Sequence, residues 1–178
     1  NTERVTLSGR SLSENLDETL DLMMEMLTQP AFDAEEFAKL KTQSIDTLKK
    51  RLENTDAMAE EALYAKLYPA KHPLHMGTAE KLKQMEKLTL EDVKAFYAKN
   101  YDSNQMIFSV VGAVDASQQA QPLLKKLATL PSSPRKVDFS IPDVKAQSKG
   151  QRITTSMPDK ANASIMMGVQ TPIKLLSK

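Results

Sequence analysis

Few residues in this chain are able to do chemistry. Histidine occurs twice, as His72 and His75, and cysteine is absent. Without cysteine there is no disulfide, thiol nucleophile or thiolate-bound zinc. The i, i+3 spacing of the two histidines could offer two imidazoles to a metal. A zinc site, however, takes three or four protein ligands, and the nearest carboxylate in sequence is Glu80. Beside Pro73 in a loop, His72 reads better as a packing or capping residue and His75 as an exposed one. No Gly-x-Ser-x-Gly turn frames a serine, so a hydrolytic triad has no anchor. Gly9, Gly77, Gly112, Gly150 and Gly168 are too dispersed to cradle a phosphate. Carboxylates such as Glu60 and Glu61 read as solvated surface, whereas general acid–base work needs a buried or partnered carboxyl. Lys39, Lys41 and Lys49-Lys50-Arg51 form the strongest basic cluster. Asp46 and Glu53 interleave it, the pattern of a solvated helix face. The methionines, Met23, Met24, Met26, Met166 and Met167 among them, read as core fillers.

The elements that position these residues begin with helices. Ser11 and Glu14 have the form of a capping box, and Leu12, Leu16, Leu20, Met23, Met24 and Leu27 then repeat at helical spacing up to Pro30. Asp33 with Glu36 opens a second helix, with Phe37, Leu40, Leu48 and Leu52 on its inner face. Asp56 is placed to cap a third, carrying Ala59, Leu63, Tyr64 and Leu67. A short helix holds Leu82 and Met85, and Thr89 with Asp92 starts another that buries Val93, Phe96 and Tyr97. Then the period changes. Residues 106–112 (Met-Ile-Phe-Ser-Val-Val-Gly) predict a strand buried on both faces. Ser117 is a candidate cap for a helix through Leu123, Leu124 and Leu127. Residues 131–150, with three prolines and several serines, read as a linker. Two more strands are predicted at 153–157 and 163–169, the second alternating Ala163, Ile165, Met167 and Val169.

Composition sets the outer bounds. The chain has 178 residues, 40% hydrophobic and 26% charged, ordinary for a globular protein. Its net charge of +1, from 24 basic and 23 acidic residues, argues against a nucleic-acid footprint. It holds no run of about 18 apolar residues, so no membrane span is predicted. Both ends read as cut. Residues 4–9 resemble the tail of a strand whose neighbours would lie upstream, and Ile173-Lys174-Leu175-Leu176 begins a new apolar element.

One long pattern goes further. Ala62-Leu63-Tyr64, Leu67-Tyr68, His72-Pro73 and Gly77 lead into Leu88-Thr89-Leu90-Glu91-Asp92-Val93. Phe96-Tyr97, Asn100-Tyr101, Val110-Val111-Gly112 and Val114-Asp115 follow. This order resembles the second half of a domain in the insulinase (pitrilysin) family of zinc metallopeptidases, which includes the mitochondrial processing peptidases. Met26-Leu27, Pro30, Phe32 and Glu36 before a long helix fit the same resemblance. So does Pro158-Asp159-Lys160-Ala161 before an apolar segment, similar to the start of the next domain.

The resemblance implies an α+β fold, an antiparallel-rich sheet with helices on one face, cut at both ends here. It implies a division into 1–130, the second half of one domain, 131–150, a linker, and 151–178, the first strands of the next homologous domain. The family's zinc site resembles His-x-x-Glu-His plus a distal Glu on the later long helix, and the motif Glu activates water. This chain has no His-x-x-Glu-His. Aligned with that long helix, residues 37–52 place Thr47 where the distal Glu would sit, with Asp46 one residue away. Threonine does not replace a carboxylate ligand, so the resemblance implies a domain without metal, not itself catalytic, and no cofactor in this chain. Zinc would belong to the parent's catalytic half. Tyr64, His72, Pro73, Gly77, Phe96, Tyr97, Tyr101, Val111 and Gly112 would be structural members of the family pattern. Partners would be the remaining domains of a parent zinc peptidase, or a catalytic subunit, with a peptide held in an enclosed chamber. A structural subunit of the same family is the alternative. A chance likeness would show in residues 106–112 failing to form a central, helix-covered strand. Bacterial relatives are often exported, so a periplasmic location is the expectation.

Overall fold

The computed structural model describes residues 5–101, 103–113, 115, 121, 124–130, 132, 142, 144 and 149–170. Among the described residues five α-helices are complete: α1 Leu16–Thr28, α2 Ala34–Leu52, α3 Thr55–Leu67, α4 Thr78–Lys87 and α5 Leu90–Asn100. Short 3₁₀ turns lie at Ser13–Asn15, Pro73–His75 and Ser103–Gln105, and residues 124–127 are helical. No helix among the described residues is long and apolar enough to cross a membrane. One unit takes Asn1–Asp33 and Leu90–Val137, the other Ala34–Thr89 and Asp138–Lys178.

In the first unit, α1 turns Leu20 into the core. The preceding segment lies so close to α1 that a Cβ on Gly9 would stand 3.1 Å from Met23 Sδ. Lys126 ties the 124–127 turn to α1 through Asp21, at 2.6 Å. The Tyr97 hydroxyl of α5 donates to the Leu27 carbonyl in the last turn of α1. Its ring meets Phe32 edge-on at 5.4 Å and Tyr101 at 4.9 Å. Phe32 holds φ +47°, a left-handed turn that a bulky residue adopts only where its surroundings fix it.

In the second unit, α4 is held at both ends by side chains from other helices. Lys41 of α2 donates to the carbonyls of Glu86 and Leu88, each at 2.8 Å, where the helix leaves its last acceptors unused. Glu61 of α3 accepts from the Thr78 backbone N–H at 2.9 Å, at the opposite end. A cation at the C-terminus and an anion at the N-terminus also have the signs that the helix dipole favours. Along α3 lie residues 162–170. Asn162 and Ser164 bond Thr55 at 2.7 and 3.0 Å, and Ser164 bonds Asp56 at 2.5 Å. Gly168 is in contact with Leu63 and Leu67, where a Cβ would come within 3.0 Å. Gln170 Nε2 donates to the Leu67 carbonyl.

The sheet expected from the sequence is not there: none of the described residues belongs to a strand. A strand exists by pairing, and neither 106–112, 153–157 nor 163–169 has a ladder partner among the described residues. Branched and aromatic side chains favour a pleated, half-buried surface without creating one. A remnant of the pattern survives in burial. Met106, Phe108 and Val110 are half-buried while Ile107, Ser109 and Val111 face solvent, Ile107 and Val111 at 95% exposure. Burial on both faces therefore does not occur.

The helices lie where the periodicity places them, but their ends and faces need correction. Ser11 is not a cap: the chain enters a 3₁₀ turn at Ser13, and neither Leu12 nor Asn15 caps through its side chain. At α3 the cap is Asn54, accepting from the Ala57 N–H at 2.9 Å, and Asp56 lies inside the first turn. Phe96 and Leu40 are exposed rather than buried. Arg4, Val114, Ser117, Leu123, most of 131–150 and residues 171–178 lie outside the described residues.

Candidate functional site

Thr47 is exposed on α2, its hydroxyl donating to the Gln43 carbonyl one turn back at 2.9 Å. With Leu40, Gln43, Ser44, Leu48 and Met85 it lines an open groove of about 430 Å³ between α2 and α4. Asp46 is exposed next to it. Among the described residues no three His, Cys, Asp or Glu side chains are grouped to hold a metal ion.

The two histidines have opposite jobs. His72 is buried, stacked on Tyr68 at 4.4 Å, and its Nδ1 accepts from the Leu74 N–H at 3.1 Å to cap the turn that Pro73 opens. A neutral ring accepting at Nδ1 carries its proton on Nε2, which removes the lone pair a metal would need. His75 is half-buried, not exposed, and its Nδ1 faces the Tyr68 carbonyl at 2.8 Å. A carbonyl only accepts, so His75 is protonated at Nδ1. The two rings thus serve different partners, His72 the turn at Pro73 and His75 the Tyr68 carbonyl. Tyr64 adds an edge contact to Tyr68 at 5.7 Å.

Gly77 lies close against the Glu61 carboxylate. A Cβ there would lie 3.0 Å from Glu61 Oε2, so glycine lets the carboxylate reach the start of α4. Thr78 is fully buried, its hydroxyl bonded to Glu61. Arg51 completes the cluster: its Nε donates to Thr78 Oγ1 at 3.2 Å and its Nη2 meets Glu60 at 2.7 Å. Glu61 and Lys41, read from sequence as solvated surface, are thus bound into the second unit, while Arg51 and Glu60 pair at its surface. No local pattern in the sequence separates a capping carboxylate from a solvated one. The structure joins Tyr64, His72, Pro73 and Gly77 around the α3–α4 connection, and Tyr97 with Tyr101 in the first unit. Phe96 and Val111 face solvent, and Gly112 turns at φ +157° with open space about it.

Comparison with known proteins decides the family. The description "Peptidase M16 inactive domain" matches residues 87–175, half of the chain. The chain belongs to the M16, insulinase-like peptidase family. The M16 match holds although residues 106–112 are not a covered strand, so that feature is no test of membership. M16 relatives agree at lower identity. The chain is 24% identical over 143 residues to the mitochondrial-processing peptidase subunit beta of Saccharomyces cerevisiae, covering 79% of this chain and 30% of that protein. It is 27% identical over 130 residues to the "Non-peptidase homolog YmxG" of Helicobacter pylori, covering 73% of this chain and 30% of the relative. It is 27% identical over 113 residues to an uncharacterized zinc protease of Rickettsia felis, covering 64% and 27%. The chain thus spans less than a third of each of these relatives. No solved structure matches it.

Proposed function

We propose that this chain is an internal part of the metal-free half of an insulinase-like zinc peptidase, helping to enclose a peptide against a catalytic half carried elsewhere in the protein or by a partner subunit. The observation that carries this reading is Thr47. The family resemblance aligns it with the distal ligand, and it lies on a helix with its hydroxyl turned back to Gln43. The match to the family's inactive domain supports it. In that arrangement zinc in the other half would polarise the scissile carbonyl, and this chain would shape the chamber. The boundary at 131–150 and an exported, periplasmic location belong to the same proposal. A relative named as a non-peptidase homolog favours a second reading, a structural subunit without peptidase work.

The test is zinc content and cleavage of a quenched fluorescent peptide, on the full-length protein and on residues 1–178. The expected outcome is zinc in the full-length protein, cleavage abolished by a chelator and restored by zinc, and no zinc on residues 1–178. Zinc bound by residues 1–178 overturns the metal-free assignment. Full-length protein with neither zinc nor cleavage, both alone and together with any subunit that copurifies with it, decides for the structural subunit.

A further inference from the structure

The chain has no cysteine, so its ten methionines hold all of its sulfur. Peroxides oxidise a thioether by giving it one oxygen atom, and exposure decides which methionine reacts first. In the second unit the methionines differ widely. Met58, Met85 and Met157 are half-buried, Met76 and Met166 are 38% and 45% exposed, and Met167 is 91% exposed. The way residues 162–170 lie on α3 accounts for Met167. Asn162 and Ser164 bond Thr55, and Ser164 also bonds Asp56. Gly168 packs on Leu63 and Leu67, and Gln170 bonds the Leu67 carbonyl. The odd-numbered residues between them, Ile165, Met167 and Val169, are left 84%, 91% and 80% exposed.

We propose that Met167 is a site of reversible oxidation by peroxides, and that its sulfoxide turns the apolar row Ile165, Met167 and Val169 polar while the segment keeps its hold on α3. Hydrogen peroxide gives one oxygen to the Met167 sulfur. The S–O bond forms as the O–O bond breaks, two electrons leave sulfur, and the second oxygen departs as water with both protons. The product is a polar, chiral sulfoxide in the middle of the row. A methionine sulfoxide reductase returns it to the thioether, oxidising two thiols to a disulfide and releasing water. The bonds that hold the segment belong to Asn162, Ser164 and Gln170, so the sulfoxide breaks none of them. Neither zinc nor a peptide substrate enters this chemistry, so it does not rest on the peptidase reading.

The test treats the 178-residue chain and the full-length protein with hydrogen peroxide, then digests them with trypsin. Fragmenting the peptide of residues 161–174 by mass spectrometry separates Met166 from Met167. Sulfoxide is expected to accumulate about twice as fast at Met167 as at Met166 in both proteins, following their exposures of 91% and 45%. In the 178-residue chain, at one added oxygen per molecule, the fluorescence of a bound anilinonaphthalene sulfonate dye is expected to fall. It should recover after treatment with a reductase and dithiothreitol, with the melting temperature unchanged throughout. Met167→Leu keeps the row apolar without a sulfur atom, so its dye signal is expected to match wild type and to hold in peroxide. Circular dichroism checks its fold, Met167→Ile replaces it if needed, and the wild-type mapping stands without either. Met166 oxidised as fast as Met167 in either protein overturns the proposal, whatever covers Met167 there. So does a loss of dye signal in Met167→Leu as large as in wild type, or a melting temperature that falls as Met167 is oxidised.

Discussion

A methyl group on Gly77 would come within 3.0 Å of Glu61 Oε2, so the two residues should be energetically coupled. Gly77→Ala is expected to lower stability by about 1 kcal/mol, and Glu61→Ala by about 1–2 kcal/mol through loss of the bond to the Thr78 N–H. With Glu61 gone the added methyl has room, so the double variant should lose less than the sum by about 0.5–1 kcal/mol. Urea denaturation of the four proteins measures this, and strict additivity would mean that Gly77 acts through its backbone alone. Gly77 and His72, read from the sequence as structural members of a pattern, lie against Glu61 and Tyr68. The sequence missed Glu61, because a carboxylate on a helix has the same local signature whether water or a neighbouring helix end receives it. That partner lies 17 residues away, at Thr78.

At the scale of elements, helix positions were legible and their ends less so. Apolar spacing repeats within each segment, so α1 to α5 follow from local sequence. Caps depend on which polar residue the entering chain turns toward, and Asn54 prevailed over Asp56. Asn54→Ala is accordingly expected to cost about 1 kcal/mol, while Ser11→Ala should stay within about 0.5 kcal/mol of wild type. Thermal melts of the two variants compare them directly, and equal losses would restore Ser11 as a cap. The strands failed for a related reason. Alternation and β-branching are local, whereas a ladder needs a second segment. Residues 163–169 met α3 instead, with Gly168 against Leu63 and Leu67.

Over the whole molecule, the family could be read from the order of motifs, while the layering of the fold could not. Ile107 and Val111 in the first unit, and Ile165, Met167 and Val169 in the second, remain largely exposed, which composition alone does not reveal. Exposed apolar side chains grouped at alternate positions, as at 165, 167 and 169, bind hydrophobic dyes. The native chain is expected to raise the fluorescence of an anilinonaphthalene sulfonate dye. Replacing Ile165, Met167 and Val169 together by serine should remove much of that rise without lowering the melting temperature. A variant that loses stability while dye binding is unchanged would place those side chains inside.

The two-ended hold on α4 has a kinetic consequence. Ten residues are too few for a helix to persist alone in water, and its terminal groups wait on Lys41 and Glu61 from helices formed separately. Docking of α4 therefore belongs late, after the folding barrier. Lys41→Met should speed unfolding in stopped-flow traces and leave the refolding rate nearly unchanged, a φ-value near zero. The hold on α4 would then govern how long the folded chain lasts rather than how quickly it forms.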